Sequence, residues 1–115
     1  MTVANTVLWN NISPTGPEIY LGTATYHSTV TISFSDVKGG QSSVYVNSGS
    51  TLDWGSGMID ADPLFVDPDN GDFHLTFPSP CKDAGDDEAS GLPDEDFEND
   101  PRVAFGFVDM GADEF

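Results

Sequence analysis

The chain has 115 residues, enough for one domain with a modest core, and its net charge is −17. Only Lys38, Lys82 and Arg102 oppose 20 acidic residues. Nucleic acid is therefore not an expected partner, because binding phosphates requires clustered Lys and Arg. An anionic membrane surface is disfavoured for the same reason. No segment is long and apolar enough to predict membrane insertion.

Short apolar runs rich in β-branched and aromatic residues predict a series of strands. The runs cover residues 6–9, 19–21, 30–34, 44–46, 58–59, 64–66 and 73–77. Turn formers separate them, for example the Gly39-Gly40 pair. No window shows the apolar period of an α-helix. The chain is therefore predicted to be all-β, with eight Phe, three Tyr and two Trp available to fill its core.

A weak repeat relates three segments, each an apolar strand followed by a polar turn. They lie at residues 6–11, 30–40 and 58–66. Ile32 lies 25 positions after Val7 and 27 before Ile59. Such a period is typical of stacked supersecondary units, and the coils of a parallel β-helix fit it. An antiparallel β-sandwich or jelly roll is the alternative, since Asn70-Gly71 is able to close a hairpin.

The composition changes after Gly85, where a long acidic run with few strand formers begins. This run predicts an irregular strap, and the apolar residues that follow predict a docked terminus. The apolar residues are Phe105, Phe107, Val108, Met110 and Phe115. We therefore predict one domain over residues 1–115, with coils over 1–85 and the strap and cap over 86–115.

Six segments of distinctive sequence follow one another along the chain. They are NTVLWNN (5–11), FSDVKGG (34–40), IDADPLFVDPDNGDFHL (59–75), SPCKDAG (79–85), LPDEDFENDPRV (92–103) and VDMGADEF (108–115). In this order they resemble the C-terminal coils and cap of bacterial right-handed parallel β-helix repeat proteins, which have the pectate-lyase-like superfold. The resemblance implies about three coils closed by the acidic strap. It also implies a secreted or cell-surface parent protein and a non-catalytic, structural role.

Five aspartates crowd the segment from residue 60 to residue 72, and they raise the question of catalysis. They are Asp60, Asp62, Asp67, Asp69 and Asp72. Paired carboxylates can serve as general acid and base on a glycosidic bond, so a polysaccharide lyase or glycoside hydrolase is the enzymatic alternative. Asp62 and Asp67 each precede a proline, however, which is typical of turns. We assign no catalytic residue and favour a protein that is not an enzyme.

Calcium is the one cofactor that the sequence suggests. Asp67, Asp69 and Asp72 in DPDNGD offer hard oxygen ligands at close spacing, and they form the predicted Ca²⁺ site. The EF-hand pattern does not fit, because its glycine position is taken by Asp72 and its final glutamate position by Pro78. A Ca²⁺-dependent glycan-binding or adhesive module is thus a third functional alternative.

Two further partners follow from the composition and the predicted architecture. A polysaccharide is one, because aromatic faces stack on sugars. The available aromatic residues are Trp9, Trp54, Tyr20, Tyr26 and Tyr45. A second copy of the chain is the other, since an uncapped N-terminal coil exposes a strand edge that favours association. Cys81 is expected to be a buried thiol, Arg102 an ion-pair partner of nearby acids, and His74 a residue that faces outward.

Overall fold

The computed structural model describes residues 1–115, and nine short strands form its regular structure. They are β1 (Thr2–Ala4), β2 (Val7–Leu8), β3 (Tyr20–Leu21), β4 (Thr29–Ser33), β5 (Asp36–Val37), β6 (Tyr45–Val46), β7 (Thr51–Trp54), β8 (Phe65–Asp67) and β9 (Asp72–Leu75). Short 3-10 turns lie at Gln41–Ser43 and Pro68–Asn70, and there is no α-helix. The all-β prediction is confirmed. The structure also has no helix with the length and apolarity of a membrane span.

Strands that pair in parallel are three apart in chain order. β4 lies between β1 and β7, with Ile32 opposite both Val3 and Trp54. β2 pairs with β5, and β3 pairs with β6. A further parallel bridge joins Asp36 to Ile59, which extends the β2–β5 pair by one more level. From β4 to β7 the polypeptide therefore lays each strand beside an earlier one that runs in the same direction.

The antiparallel sandwich is not adopted, because among the named strands only β8 and β9 are antiparallel. These two form a hairpin at Asn70-Gly71, the pair on which the antiparallel alternative rested, and Gly71 has a φ of 83°. A glycine reaches this left-handed conformation without the steric cost of a Cβ atom. The hairpin follows the parallel strands in the chain and does not interrupt their pairing.

The repeat exists in a different register from the predicted one. The sequence pattern aligned Val7 with Ile32 and Ile59, whereas the structure pairs Val7 with Asp36 and Asp36 with Ile59. Ile32 belongs to the neighbouring sheet, opposite Val3. The alignment failed because a fully buried carboxylate, Asp36, occupies a position where the pattern required an aliphatic residue.

The core is small and mainly aliphatic. Ile32, Val37, Cys81 and Val108 are completely buried, and Met110 is 1% exposed. Phenylalanine does not fill the core as the composition suggested, because six of the eight Phe side chains are exposed. These are Phe73, Phe77, Phe97, Phe105, Phe107 and Phe115. Branched aliphatic side chains fill much of the interior between the paired strands, and most of the phenylalanine rings lie on the outside.

Residues 86–115 contain no named strand, and single backbone hydrogen bonds connect them to earlier parts of the chain. The amide of Met110 donates to the carbonyl of Cys81 at 2.9 Å, and that of Gly111 donates to the carbonyl of Asn5 at 2.9 Å. Val108 and Met110 are buried, so this part of the terminus is docked as expected. Phe105 is fully exposed, in contrast to its predicted docking.

Candidate functional site

Two of the five aspartates that first suggested catalysis, Asp60 and Asp62, accept hydrogen bonds from backbone amides. Asp62 Oδ1 accepts a hydrogen bond from the amide of Leu64 at 3.0 Å, which is an aspartate turn. Asp60 Oδ1 accepts one from the amide of Gly39 at 2.9 Å and so connects two loops that are 21 residues apart. Both carboxylates therefore stabilise turns.

The predicted Ca²⁺ ligands lie on the β8–β9 hairpin. Asp67 Oδ2 accepts a hydrogen bond from Asn70 Nδ2 at 2.8 Å, and Asp69 is exposed in the 3-10 turn. Asp72 points to His74, whose Nδ1 lies 2.5 Å from Asp72 Oδ1. One loop thus carries all three aspartates, but two of them already have side-chain partners. The Ca²⁺ site stays a prediction.

His74 lies between two carboxylates, an arrangement that its position in the sequence does not reveal. Its Nε2 atom is 3.0 Å from Glu98 Oε2, and its ring packs 5.2 Å from that of Phe97. The hydrogen bond with Asp72, followed by that with Glu98, raises the pKa of His74 to about 9. The same histidine lowers the pKa of Asp72. His74 is half-buried and links the hairpin to the strap, rather than simply facing outward.

Arg102 is buried at the centre of the cap and holds the C-terminal segment in place. Its Nη1 donates to the carbonyl of Asp113 at 3.2 Å, and its Nη2 donates to that of Asp109 at 3.0 Å. Nη1 also lies 3.5 Å from Glu114 Oε2, in an ion pair whose two side chains are 5% and 2% exposed. The Nε atom has no hydrogen-bond partner. The expected ion-pair role of Arg102 is confirmed.

Two acids beside Arg102 are harder to ionise than in water. Burial raises the pKa of Glu114 to about 7, and the nearby Asp109 adds to the rise, against the opposing effect of Arg102. Burial also raises the pKa of Asp109, although the amides of Asp83 and Phe115 donate to this carboxylate. The positive charge of Arg102 therefore only partly offsets the desolvation of these two acids.

Cys81 is sealed in the core, as predicted. Its Sγ atom lies 3.4 Å from Asp36 Oδ2. Burial, followed by the charge of Asp36, raises the pKa of Cys81 to about 12. Burial likewise raises the pKa of Asp36. A thiol in this environment stays protonated and is a poor nucleophile.

A groove of about 480 Å³ brings together residues that the sequence had suggested for different roles. Trp9 lines it with Asp62 and Asp69, and Asn10 and Phe73 complete much of the wall. Lys38 Nζ lies 5.5 Å from the Trp9 ring. An aromatic face beside carboxylate and amide groups suits a polar ligand with an apolar face.

The other candidate sugar-binding aromatics are scattered over the molecule. Tyr20 and Tyr45 stack on each other on paired strands, with ring centroids 4.4 Å apart. Tyr26 is 75% exposed on a loop, and Trp54 is half-buried at the end of β7. Only Trp9 shares a groove with the predicted carboxylates.

The N-terminal end of the strand stack is open. β1 pairs with β4 and has no strand on its other side. A cavity of about 670 Å³ opens there, lined mainly by apolar side chains that include Val3, Leu8 and Ile19. An unpaired strand edge beside an apolar cavity favours the addition of another strand.

The thiol and the guanidinium are buried in packing, while carboxylates, one imidazole and several aromatic rings remain accessible. No protein-family model, curated protein or solved structure matches the chain.

Proposed function

We propose that this chain is a structural unit, formed by the last coils and the closing cap of a right-handed parallel β-helix in a bacterial extracellular or cell-surface protein. The parallel pairing of strands three apart in chain order carries this proposal. In a β-helix each coil contributes one strand to each face, which produces this spacing. The resemblance of six sequence segments to such proteins supports it further.

The role of the cap is to cover the apolar end of the coils. Leu75, Cys81 and Met110 form a buried cluster beneath the hairpin and the strap. Ile59 and Phe34, which belong to the coils, pack against this cluster. Without the cap these apolar side chains and the last strand edge would be exposed to water and to other chains.

When the chain is taken by itself, without preceding coils, the charge distribution favours a second copy of the chain as the partner of the open end. Among the 20 acidic residues only Glu18 precedes Asp36, so the first coil is almost neutral and the charge of −17 arises in the later residues. Two copies that meet at their N-terminal ends keep their acidic parts apart. An arrangement of N-terminal end to cap would bring an acidic surface into the contact.

This association is tested by measuring molar mass with light scattering during size-exclusion chromatography, over a range of concentrations. We expect a dimer that Val3→Lys dissociates, because lysine places a charge at the edge strand and beside the open cavity. Phe105→Lys adds the same charge on the exposed cap and should leave the dimer intact. A monomer at every concentration, or equal dissociation by the two variants, would argue against the proposed interface.

Glycan binding is a second candidate function, which the Trp9 groove favours. The Trp9 ring, Asn10 and Asp62 offer the stacking face and the hydrogen-bonding groups that sugar recognition requires. Screening of neutral and acidic oligosaccharides by calorimetry tests it. Trp9→Ala should abolish any binding, whereas Tyr26→Ala, which removes an exposed ring outside the groove, should not. Binding that survives Trp9→Ala would exclude the groove as the sugar site.

A further inference from the structure

We propose that His74, Glu98 and Asp113 form a binding site for a divalent transition-metal ion that joins the hairpin, the strap and the C-terminal segment. One potential ligand atom from each residue lies within 4.8 Å of the others. The three residues come from parts of the chain that are far apart in sequence, so a shared ion would cross-link them. None of its three ligands is a predicted Ca²⁺ ligand, although Asp72, which is one, contacts His74.

The orientation of His74 supports metal binding. Asp72 Oδ1 lies 2.5 Å from Nδ1, while Nε2 faces Glu98 Oε2 at 3.0 Å. A histidine that binds a metal through one ring nitrogen usually gives the proton of the other to a carboxylate or carbonyl, which fixes the ring. Asp72 occupies the position of that carboxylate. It is thus a positioning residue, and Nε2 is the atom directed towards the ion, which must displace the Nε2 proton at neutral pH.

The burial of Asp113 is the second observation. Asp113 is only 6% exposed, and its Oδ2 atom accepts a hydrogen bond from the amide of Leu75 at 2.8 Å. No Lys or Arg side chain forms an ion pair with this carboxylate, because Arg102 binds the backbone carbonyl of Asp113 instead. A buried carboxylate requires a compensating charge. The His74 imidazolium supplies part of this charge, and a divalent ion that replaced its Nε2 proton would supply more.

The ligand set indicates the class of metal. One imidazole nitrogen and two carboxylate oxygens suit Zn²⁺ and related ions, whereas Ca²⁺ prefers six to eight oxygen ligands. Tetrahedral Zn²⁺ binds nitrogen and oxygen at about 2.0–2.1 Å, so the donor atoms must approach to about 3.3 Å of one another. His74 Nε2 and Glu98 Oε2 are already 3.0 Å apart, so the approach still needed is between this pair and Asp113, and the 49% exposed side chain of Glu98 is free to move. Three protein ligands leave one position for water.

Calorimetry and thermal melting with Zn²⁺ alone test the site, with Co²⁺ as a spectroscopic probe. We expect one Zn²⁺ per chain, a higher melting temperature that a chelator reverses, and the visible absorption of cobalt with low coordination number. Glu98→Gln should abolish all three effects, and Asp72→Asn should weaken binding about 10- to 100-fold. Glu88→Gln, an exposed strap acid outside the cluster, is the matched control and should bind like the wild type.

Three outcomes would contradict the proposed metal site. If Zn²⁺ neither binds nor alters melting, the site does not exist. If Zn²⁺ binds at several ions per chain and Glu98→Gln has no effect, the acidic surface attracts cations diffusely, and the assignment is wrong. A Ca²⁺-induced stabilisation that persists in Glu98→Gln and exceeds that of Zn²⁺ would also overturn it, and would favour the Asp67, Asp69 and Asp72 loop. Because Glu98 lies in the strap, none of these results depends on association through β1.

Discussion

At the residue scale, the side chain of Asn5 connects the start of the chain to the strap through two hydrogen bonds. It is 8% exposed and has a φ of 50°, a left-handed conformation that asparagine tolerates better than most residues. Its Nδ2 donates to the carbonyl of Asp86 at 3.0 Å, and its Oδ1 accepts from the amide of Asp86 at 2.7 Å. Both polar groups at the start of the strap are therefore satisfied by one amide side chain.

We predict that Asn5→Ala lowers the free energy of unfolding by about 2–4 kcal/mol, because it removes two hydrogen bonds and leaves the Asp86 backbone groups without these partners. Urea denaturation measures the change. Asn99→Ala is the control, since Asn99 also has a left-handed φ, of 74°, but is exposed. A loss in Asn5→Ala no larger than in Asn99→Ala would show that conformation alone explains the effect.

The raised pKa of Glu114 makes the free energy of unfolding depend on pH. Its folded pKa of about 7 is above the ordinary value of 4.5, so the folded state retains a proton that the unfolded state has released. The contribution of Glu114 is therefore fully present below pH 4.5 and is lost as the pH rises through about 7. Burial raises the pKa of Asp36 and Asp109 in the same direction, so each also favours the folded state at lower pH.

The corresponding variant is Glu114→Gln, measured by denaturant unfolding from pH 4.5 to pH 8. We expect the dependence of stability on pH in this interval to flatten by about one proton per molecule. Asp100→Asn, at an exposed carboxylate of the strap, should leave the dependence unchanged. An unchanged slope in Glu114→Gln would contradict the raised pKa of this group.

At the scale of the secondary-structure elements, Gly57 and Gly71 both lie in turns but differ in the space around them. Gly57 follows β7 with a φ of 69°, and a Cβ there would lie 2.5 Å from the Phe34 ring. Gly71, in the β8–β9 hairpin, has a φ of 83° but no atom within 4 Å of such a Cβ. Backbone conformation disfavours alanine at both positions, whereas a steric clash exists only at Gly57.

We therefore expect Gly71→Ala to cost about 1–2 kcal/mol from conformation alone. Gly57→Ala should cost about 1–3 kcal/mol more, because the added methyl group displaces the Phe34 ring. Thermal unfolding of both variants gives the comparison, with each glycine acting as the control for the other. Equal losses would mean that Phe34 moves aside at no cost.

The sequence predicted some strands and missed others, and their residue composition explains the difference. The run at residues 30–34 alternates apolar and polar residues, and it corresponds to β4. β5 was not predicted, because one of its two residues is a buried aspartate. β1 and β7 were also missed, since short strands with Thr, Ala or Asp lack a strong apolar run. Their pairing with β4 stabilises them, and pairing is not encoded locally.

The charge of the whole molecule predicts a response to salt. A net charge of −17 on 115 residues produces self-repulsion that opposes the compact state. Raising the ionic strength from about 0.01 M to about 1 M shortens the Debye length from about 30 to about 3 Å. We expect the melting temperature to rise with NaCl, and the rise to be smaller after Glu88→Gln and Glu95→Gln are combined. A melting temperature that falls with salt would mean that ion pairs outweigh repulsion.

The sequence by itself determined the class of structure. The scarcity of helical periodicity, the β-branched runs and the turn residues predicted an all-β chain, which forms. Asn70-Gly71 was identified only as a pair able to close a hairpin in the antiparallel alternative, and it closes one here without that alternative being adopted. These features depend on residues that are close together in the sequence. The solitary Cys81 was also correctly expected to be buried, because a free cysteine usually packs as a small apolar residue.

Only the tertiary structure decided which distant residues meet. It placed Asp36 opposite both Val7 and Ile59, against the apolar alignment. It also brought His74 to Glu98 and Asp113, although 24 and 39 positions separate them in the chain. Such contacts depend on the lengths of the intervening loops and on how the strap folds back. A local pattern of residue types contains neither, so the candidate metal site became visible only in the folded chain.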